Sequence, residues 1–207
     1  VTPYYDEDGI TIFHGDCREV DAWLSADVLA TDPPYGIAFK SGWTGSAIAN
    51  DETLAARDAV LAAWGDRPSL VFGSPGRAEP QGVVGRLVWH RPGSGMGDLS
   101  LPWKPDWEIV YVLGSGFVGT RRGSAVLTYP WDVFRGSALH PHQKPLGLMR
   151  DLLAKCPPGA IADPFMGSGS TLRAAKDLGR RAIGVELDER YCEVAAKRLA
   201  QGVLAFG

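Results

Sequence analysis

The chain lacks the means for a disulfide framework. Its three cysteines, Cys17, Cys156 and Cys192, are isolated and odd in number, which gives neither paired bridges nor the ligand spacing of a zinc site. They read as buried or incidental thiols. Long apolar runs are missing too: no stretch approaches the roughly 20 residues that a membrane helix needs, so membrane residence is excluded. No basic leader followed by a short apolar core opens the chain, and the expected compartment is the cytoplasm. The histidines, His14, His90, His140 and His142, show no spacing that demands a metal, and none is expected. Internal repeats and low-complexity tracts are absent.

An excess of charge of one sign is also lacking, since the formal net charge is −3. That small figure conceals a division. Residues 1–85 hold 5 basic and 13 acidic side chains, residues 86–144 hold 7 and 4, and residues 145–207 hold 9 and 7. The middle third is basic, which permits a polyanionic partner without requiring one.

What is present fits one domain, because 207 residues suffice for a single well-buried core. Short runs rich in aliphatic, β-branched or aromatic residues predict strands over 10–16, 27–32, 69–73, 86–90, 107–114, 160–165 and 182–187. Between them, residues 53–64 and 170–179 read as helices. Asp188 reads as the N-cap of a last helix that places Tyr191, Val194, Ala195 and Leu199 on one face. Strands alternating with helices predict an α/β fold with a doubly wound, mostly parallel seven-stranded sheet. Residues 39–49, 91–105 and 114–145 stay outside this pattern as irregular loops, rich in Gly, Pro, Trp and Arg. Such loops commonly carry function.

Two strand ends carry chemistry. Near the C-terminus, ADPFMGSGST ends a buried strand at Asp163 and turns on Gly167 and Gly169. Glu186 closes the next strand 19 residues after Gly167. Glycines admit a ligand to the backbone, and an acid at that distance accepts from both hydroxyls of a ribose. The third glycine of a dinucleotide fingerprint is missing, since Leu172 stands in its place, which argues against NAD or FAD. Asp163 would repel a pyrophosphate but suits a cationic head. S-adenosylmethionine, with a ribose, an ammonium and a sulfonium, fits. The second strand end is TDPPYG, residues 31–36, whose DPPY string is expected by chance about once in a thousand chains of this size. Ligands of open α/β sheets sit outside the carboxyl ends of the strands. If the strand before Asp32 lies beside the strand before Asp163, both turns open into one crevice.

These motifs, DPPY before FxGxG, resemble the amino-methylating DNA methyltransferases of the β arrangement, with their circularly permuted motif order and Rossmann-like methyltransferase sheet. LHPHQKPLGLMRDLL, residues 139–153, looks like that family's HPxQKP segment. HGDC, residues 14–17, looks like the segment that reaches the cofactor adenine, and AFKSGWTGSAIANDE resembles the mobile loop after DPPY. The resemblance implies a single catalytic domain over residues 1–207 with a short target-recognition insertion near 114–138. It implies catalysis by Asp32, Pro33, Pro34 and Tyr35 on the N6 amine of a flipped adenine. Cofactor contacts are expected from Asp16, Cys17, Asp32, Lys144, Pro145, Asp163, Phe165, Met166, Gly167, Ser168, Gly169, Ser170, Thr171 and Glu186.

DNA contacts are expected from Lys40, Arg91, Arg121 and Arg122, with Lys104 and Arg135 among the same basic residues and Trp43, Trp103, Trp107 and Trp131 interleaved. The partner implied is double-stranded DNA; a second subunit of the same chain and a cognate restriction enzyme are partners that the sequence leaves open. Alternatives are the N4 amine of cytosine, an amine of another substrate, or a non-catalytic DNA-binding regulator.

Overall fold

The computed structural model describes residues 1–37, 51–93, 99–100, 102–119, 122–130 and 143–200. Among them are nine strands: β1 Tyr5–Glu7, β2 Ile10–His14, β3 Val28–Thr31, β4 Ser69–Gly73, β5 Val83–His90, β6 Trp107–Leu113, β7 Val126–Thr128, β8 Ile161–Asp163 and β9 Ala182–Glu186. The helices are α1 Ala55–Trp64, α2 Leu146–Leu153, α3 Ser170–Asp177 and α4 Glu189–Ala200, with a 3-10 turn at Ala22–Ser25. All strands join one sheet in the order β1, β2, β9, β8, β3, β4, β6, β5, β7.

The expected seven-stranded, mostly parallel sheet is corrected to a mixed sheet of nine. Its centre is parallel, from β2 through β9, β8 and β3 to β4. On the far side β6 runs antiparallel to both β4 and β5. A parallel neighbour needs a crossover of a dozen or more residues, usually a helix. Among the described residues no helix lies between β5 and β6, and these two pair antiparallel, with β6 set between β4 and β5 and opposed to both. The two additional strands, β1 and β7, are three residues each and lie at the sheet edges, too short for periodicity to reveal.

Both sheet faces are covered, which explains why the central strands read as continuous apolar runs. Val28 and Ala30 of β3, with Leu70 and Phe72 of β4, face a core closed by Leu148, Met149, Leu152 and Leu153 of α2, by Leu172 of α3 and by Leu199 of α4. Leu29 and Val71 point to the other face, against Trp23, Val60 and Trp64. The alternation is the period of two expected of a strand. The last helix begins as expected, with Asp188 Oδ1 accepting the Arg190 N–H at 3.0 Å. Its buried stripe is Cys192, Ala195 and Leu199, with Tyr191 and Val194 at the flanks.

Under the second face, Trp23 and Trp64 stack at 5.8 Å between centroids, and the Arg67 guanidinium lies 3.5 Å over the Trp64 ring. Arg67 also donates to the carbonyls of Trp64, Leu24 and Ala26 at 2.9–3.0 Å, tying the 3-10 turn to the end of α1. Arg67→Ala strands those acceptors; a hydrogen bond to a charged group is worth about 1.5–3 kcal/mol, and water admitted to the half-open site recovers part of the sum. Urea unfolding is expected to show a loss of about 2–3 kcal/mol with an unchanged slope.

Candidate active site

Four parallel strands end side by side: β2, β9, β8 and β3. Their carboxyl ends carry the residues singled out from the sequence. His14 pairs with Glu186 across β2 and β9, and the Gly15 N–H donates to the Glu186 carbonyl at 2.9 Å. The adjacency of β3 and β8 closes the gap between DPPY and the glycine turn. Thr31 Oγ1, at the end of β3, donates to Asp163 Oδ1, at the end of β8, at 2.7 Å.

The DPPY turn leaves β3 with Pro33 buried and Asp32, Pro34 and Tyr35 half-buried. It closes on Gly36, which takes a φ of +68° and donates its N–H to the buried Asp51 carboxylate at 2.8 Å. Asp32 is gripped from two sides: Tyr35 Oη donates to Oδ1 at 2.6 Å and Lys144 Nζ to Oδ2 at 2.5 Å. A second carboxylate, Glu108 of β6, reaches the same group. Its Oε2 stands 3.2 Å from both Tyr35 Oη and Lys144 Nζ, and its Oε1 accepts from Arg91 Nη1 at 3.0 Å. Lys144 also faces the rings of Phe72, Trp89 and Tyr35 at 4.9–5.7 Å.

Two carboxylates and two cations thus balance in a partly buried cluster, whose Lys144, Glu108 and Arg91 side chains are 9, 14 and 16% exposed and whose Asp32 side chain is 27% exposed. Burial alone would lower the Lys144 pKa, but Asp32 and Glu108 outweigh it and hold the ammonium protonated beyond its usual range. Burial, then the charges of Asp32 and Glu108, push the Tyr35 phenol well above its ordinary value. It remains a neutral donor.

The glycine turn offers room. Gly167 is left-handed at φ +51°, and a Cβ built there would meet nothing within 4 Å. Its N–H donates to Glu186 Oε2 at 2.9 Å, while Oε1 accepts the Asp188 N–H at 2.8 Å. Each carboxylate oxygen keeps a further lone pair for a hydroxyl donor. Burial raises the Glu186 pKa against the backbone donors that stabilise its anion. Gly169 has another reason to be glycine: φ is +76° and a Cβ would stand 2.9 Å from Ala195 Cβ of α4.

Several expected cofactor residues work inside the protein. Asp163 is 2% exposed and is held by Thr31, Thr171 and the Phe165 N–H. Met166 is core, Ser170 Oγ accepts from Arg198 at 3.1 Å, and buried Ser168 offers a carbonyl at 3.4 Å to the same arginine. Phe165 packs against the second core. Pro145 is buried at the start of α2 and accepts the Met149 N–H at 3.1 Å. Cys17 is a buried thiol pushed up to about 12 by burial. The Asp16 carboxylate is held below its usual range by the Arg18 guanidinium beside it.

Of the residues expected at DNA, Lys40 and Arg121 lie outside the described residues, as do Arg135, Trp43, Trp131, His140 and His142. Arg122 is exposed ahead of β7, and Trp103 is 83% exposed. Arg91 is placed instead in the buried cluster, its other terminal nitrogen donating to the Pro105 carbonyl at 3.0 Å. Thr31 and Glu108 were missed in the sequence. Glu108 has a signal there: it is the lone acid inside the apolar run WEIVYVL, and a buried charge must find a partner. Among the described residues, no group of three His, Cys, Asp or Glu side chains could hold a metal, and no helix is long and apolar enough to cross a membrane.

Comparison with known proteins bears on this arrangement. "Putative methylase YubD" of Escherichia coli (strain K12) is 30% identical over 209 residues, covering 90% of this chain and 88% of its own. Residues 107–197 match the N6/N4 family described as DNA methylase. The chain belongs to the N6/N4 DNA methylases. Among solved structures, the M1.HpyAVI–SAM complex is 26% identical at a TM-score of 0.67, covering 92% of this DNA methylase and 100% of that chain. The cytosine-N4-specific PvuII DNA methyltransferase shares the fold at 18% identity and a TM-score of 0.66, covering 99 and 90%.

Burial raises the Asp163 pKa of this DNA methylase to about 7. The folded state therefore binds a proton that the unfolded state has released, so this contribution to stability is full below about pH 4 and is lost as pH rises through about 7. Asp163→Asn keeps a carbonyl for Thr31 and removes the titration. Unfolding from pH 4 to 8 is expected to show a falling contribution in the parent and a flatter profile in the variant.

Proposed function

We propose that this DNA methyltransferase acts on the N6 amine of an adenine flipped out of duplex DNA. The observation that supports the reading most is the placement of an Asp-Pro-Pro-Tyr turn beside an open glycine turn with its acid, Glu186, on neighbouring strand ends. S-adenosylmethionine, the cofactor of this family, supplies an electrophilic methyl group on a sulfonium when bound. Glu186 is suited to accept from its ribose hydroxyls. The free space above Gly167 lets the ligand approach the backbone.

The chain's part in the chemistry is to prepare the amine. The exocyclic nitrogen of adenine is a poor nucleophile because its lone pair is delocalised into the ring. The Asp32 carboxylate and the Pro33 carbonyl each accept one amine N–H, drawing the nitrogen toward tetrahedral geometry and exposing the lone pair. Two consecutive prolines fix the backbone, so both acceptors are set before the substrate arrives. Positioning of this kind is a large part of the rate. A stacked base cannot reach the turn, hence the flipped nucleotide, for which Tyr35 is the stacking partner. Arg122, Lys40 and Arg121 are assigned to the DNA backbone and grooves. The same reading places the enzyme in the cytoplasm with its DNA.

Labelled methyl groups incorporated into unmethylated DNA and recovered as nucleosides test the proposal. N6-methyladenine is the expected product; N4-methylcytosine would move the target base, and no incorporation would remove the reading. Asp32→Ala is expected to lower kcat at least about a hundredfold, or about 2.7 kcal/mol, with the fold intact. Turnover within about tenfold of the parent would remove Asp32 from its role. Glu186→Ala is expected to weaken S-adenosylmethionine about tenfold or more by calorimetry, since charged hydrogen bonds of this type are worth about 1.5–3 kcal/mol.

A further inference from the structure

Asp32 is not idle in this structure. Both of its oxygens are engaged, Oδ1 by the Tyr35 hydroxyl at 2.6 Å and Oδ2 by the Lys144 ammonium at 2.5 Å. A carboxylate drawn on by a hydroxyl and a neighbouring ammonium is a weaker acceptor for a third donor. An amine N–H arriving at Asp32 therefore competes with two donors already there.

Glu108 offers those donors another place. Its Oε2 lies 3.2 Å from Tyr35 Oη and 3.2 Å from Lys144 Nζ. The hydroxyl has one proton to give, so it donates fully to Asp32 or to Glu108 but not to both. Lys144 has three protons and turns about a flexible stem. Arg91, pinned by its Glu108 contact at 3.0 Å and by the Pro105 carbonyl, holds the Glu108 carboxylate in place on β6. The exchange leaves the charges where they are and exposes no new ion to the apolar surroundings, so it costs little desolvation.

We infer that Glu108 is a positioning residue for methyl transfer: it is the second acceptor that takes the Tyr35 hydroxyl and the Lys144 ammonium away from Asp32 when the amine binds. The inference rests on the amine-transfer reading above. A counter-ion that merely neutralised Lys144 and Arg91 would behave differently, because its loss would not depend on whether Tyr35 carries a hydroxyl.

The test compares the parent, Glu108→Gln, Tyr35→Phe and the double variant on unmethylated duplex DNA with saturating S-adenosylmethionine, with kcat, KM and thermal unfolding for each. Glu108→Gln is expected to lower kcat about tenfold or more while KM for the cofactor stays within about threefold. In the Tyr35→Phe background the same substitution is expected to cost clearly less, because one of the competing donors is gone. An unchanged kcat in Glu108→Gln, or an equal fold-loss in both backgrounds, overturns the inference. Should Glu108→Gln melt too low to assay, Glu108→Asp, which keeps the charge but withdraws the acceptor, is read in the same two backgrounds by the same criteria. A parent that transfers no methyl group removes the amine-transfer reading instead, which distinguishes the two failures.

Discussion

The pairing of β3 with β8 is the constraint on which the site depends. Residues 132 positions apart in the chain become hydrogen-bonded neighbours through Thr31 and Asp163. The DPPY turn and the glycine turn then leave the sheet at the same end, from neighbouring strands. Because β2, β9, β8, β3 and β4 are mutually parallel, their carboxyl ends and the side chains that follow them point the same way. Asp163 contributes as a structural acid beneath the turn: it is buried, and its oxygens face Thr31, Thr171 and the Phe165 N–H.

Above that edge the energetics change character. A buried ion pair is often no more stable than apolar residues of the same volume, but it becomes costly when one partner is removed. The cluster of Asp32, Glu108, Lys144 and Arg91 is consequently poor evidence of a device for stability. It is better understood as a way to orient the Asp32 side chain through Tyr35 and Lys144, whose ammonium faces the rings of Phe72, Trp89 and Tyr35. The fold supplies the rigid elements: Glu108 sits on β6, Arg91 just beyond the end of β5 and Lys144 just ahead of α2. Each is fixed by backbone already committed to the sheet or to a helix.

Much of this was legible in the sequence, for physical reasons that differ by residue. Asp32, Gly167 and Glu186 stood out because special backbone conformations and a fixed spacing write themselves into local sequence. The central strands stood out through their apolar runs. The edges did not, since β1 and β7 give three residues each and YDE carries no apolar face. The reversed direction of β6 is not written in its own apolar run, because strand direction follows from how the connections bring the strand back to the sheet. Helix α2 is written in the sequence through Leu148, Met149, Leu152 and Leu153, the apolar positions at helical spacing that form its buried stripe. An arginine in a basic loop region and an arginine facing a buried acid look alike in sequence, so the contact of Arg91 with Glu108 is legible only once tertiary structure brings the two together.

The central claim is that the DPPY turn and the glycine turn form one crevice around one cofactor. Titrating the isotopically labelled protein with S-adenosylhomocysteine, while following backbone amide resonances, tests it most directly. The amides of Gly167, Gly169 and Asp188 are expected to shift together with those of Asp32, Tyr35 and Gly36, all along a single saturation curve. Shifts confined to one turn, or two curves with separate midpoints, would contradict the account.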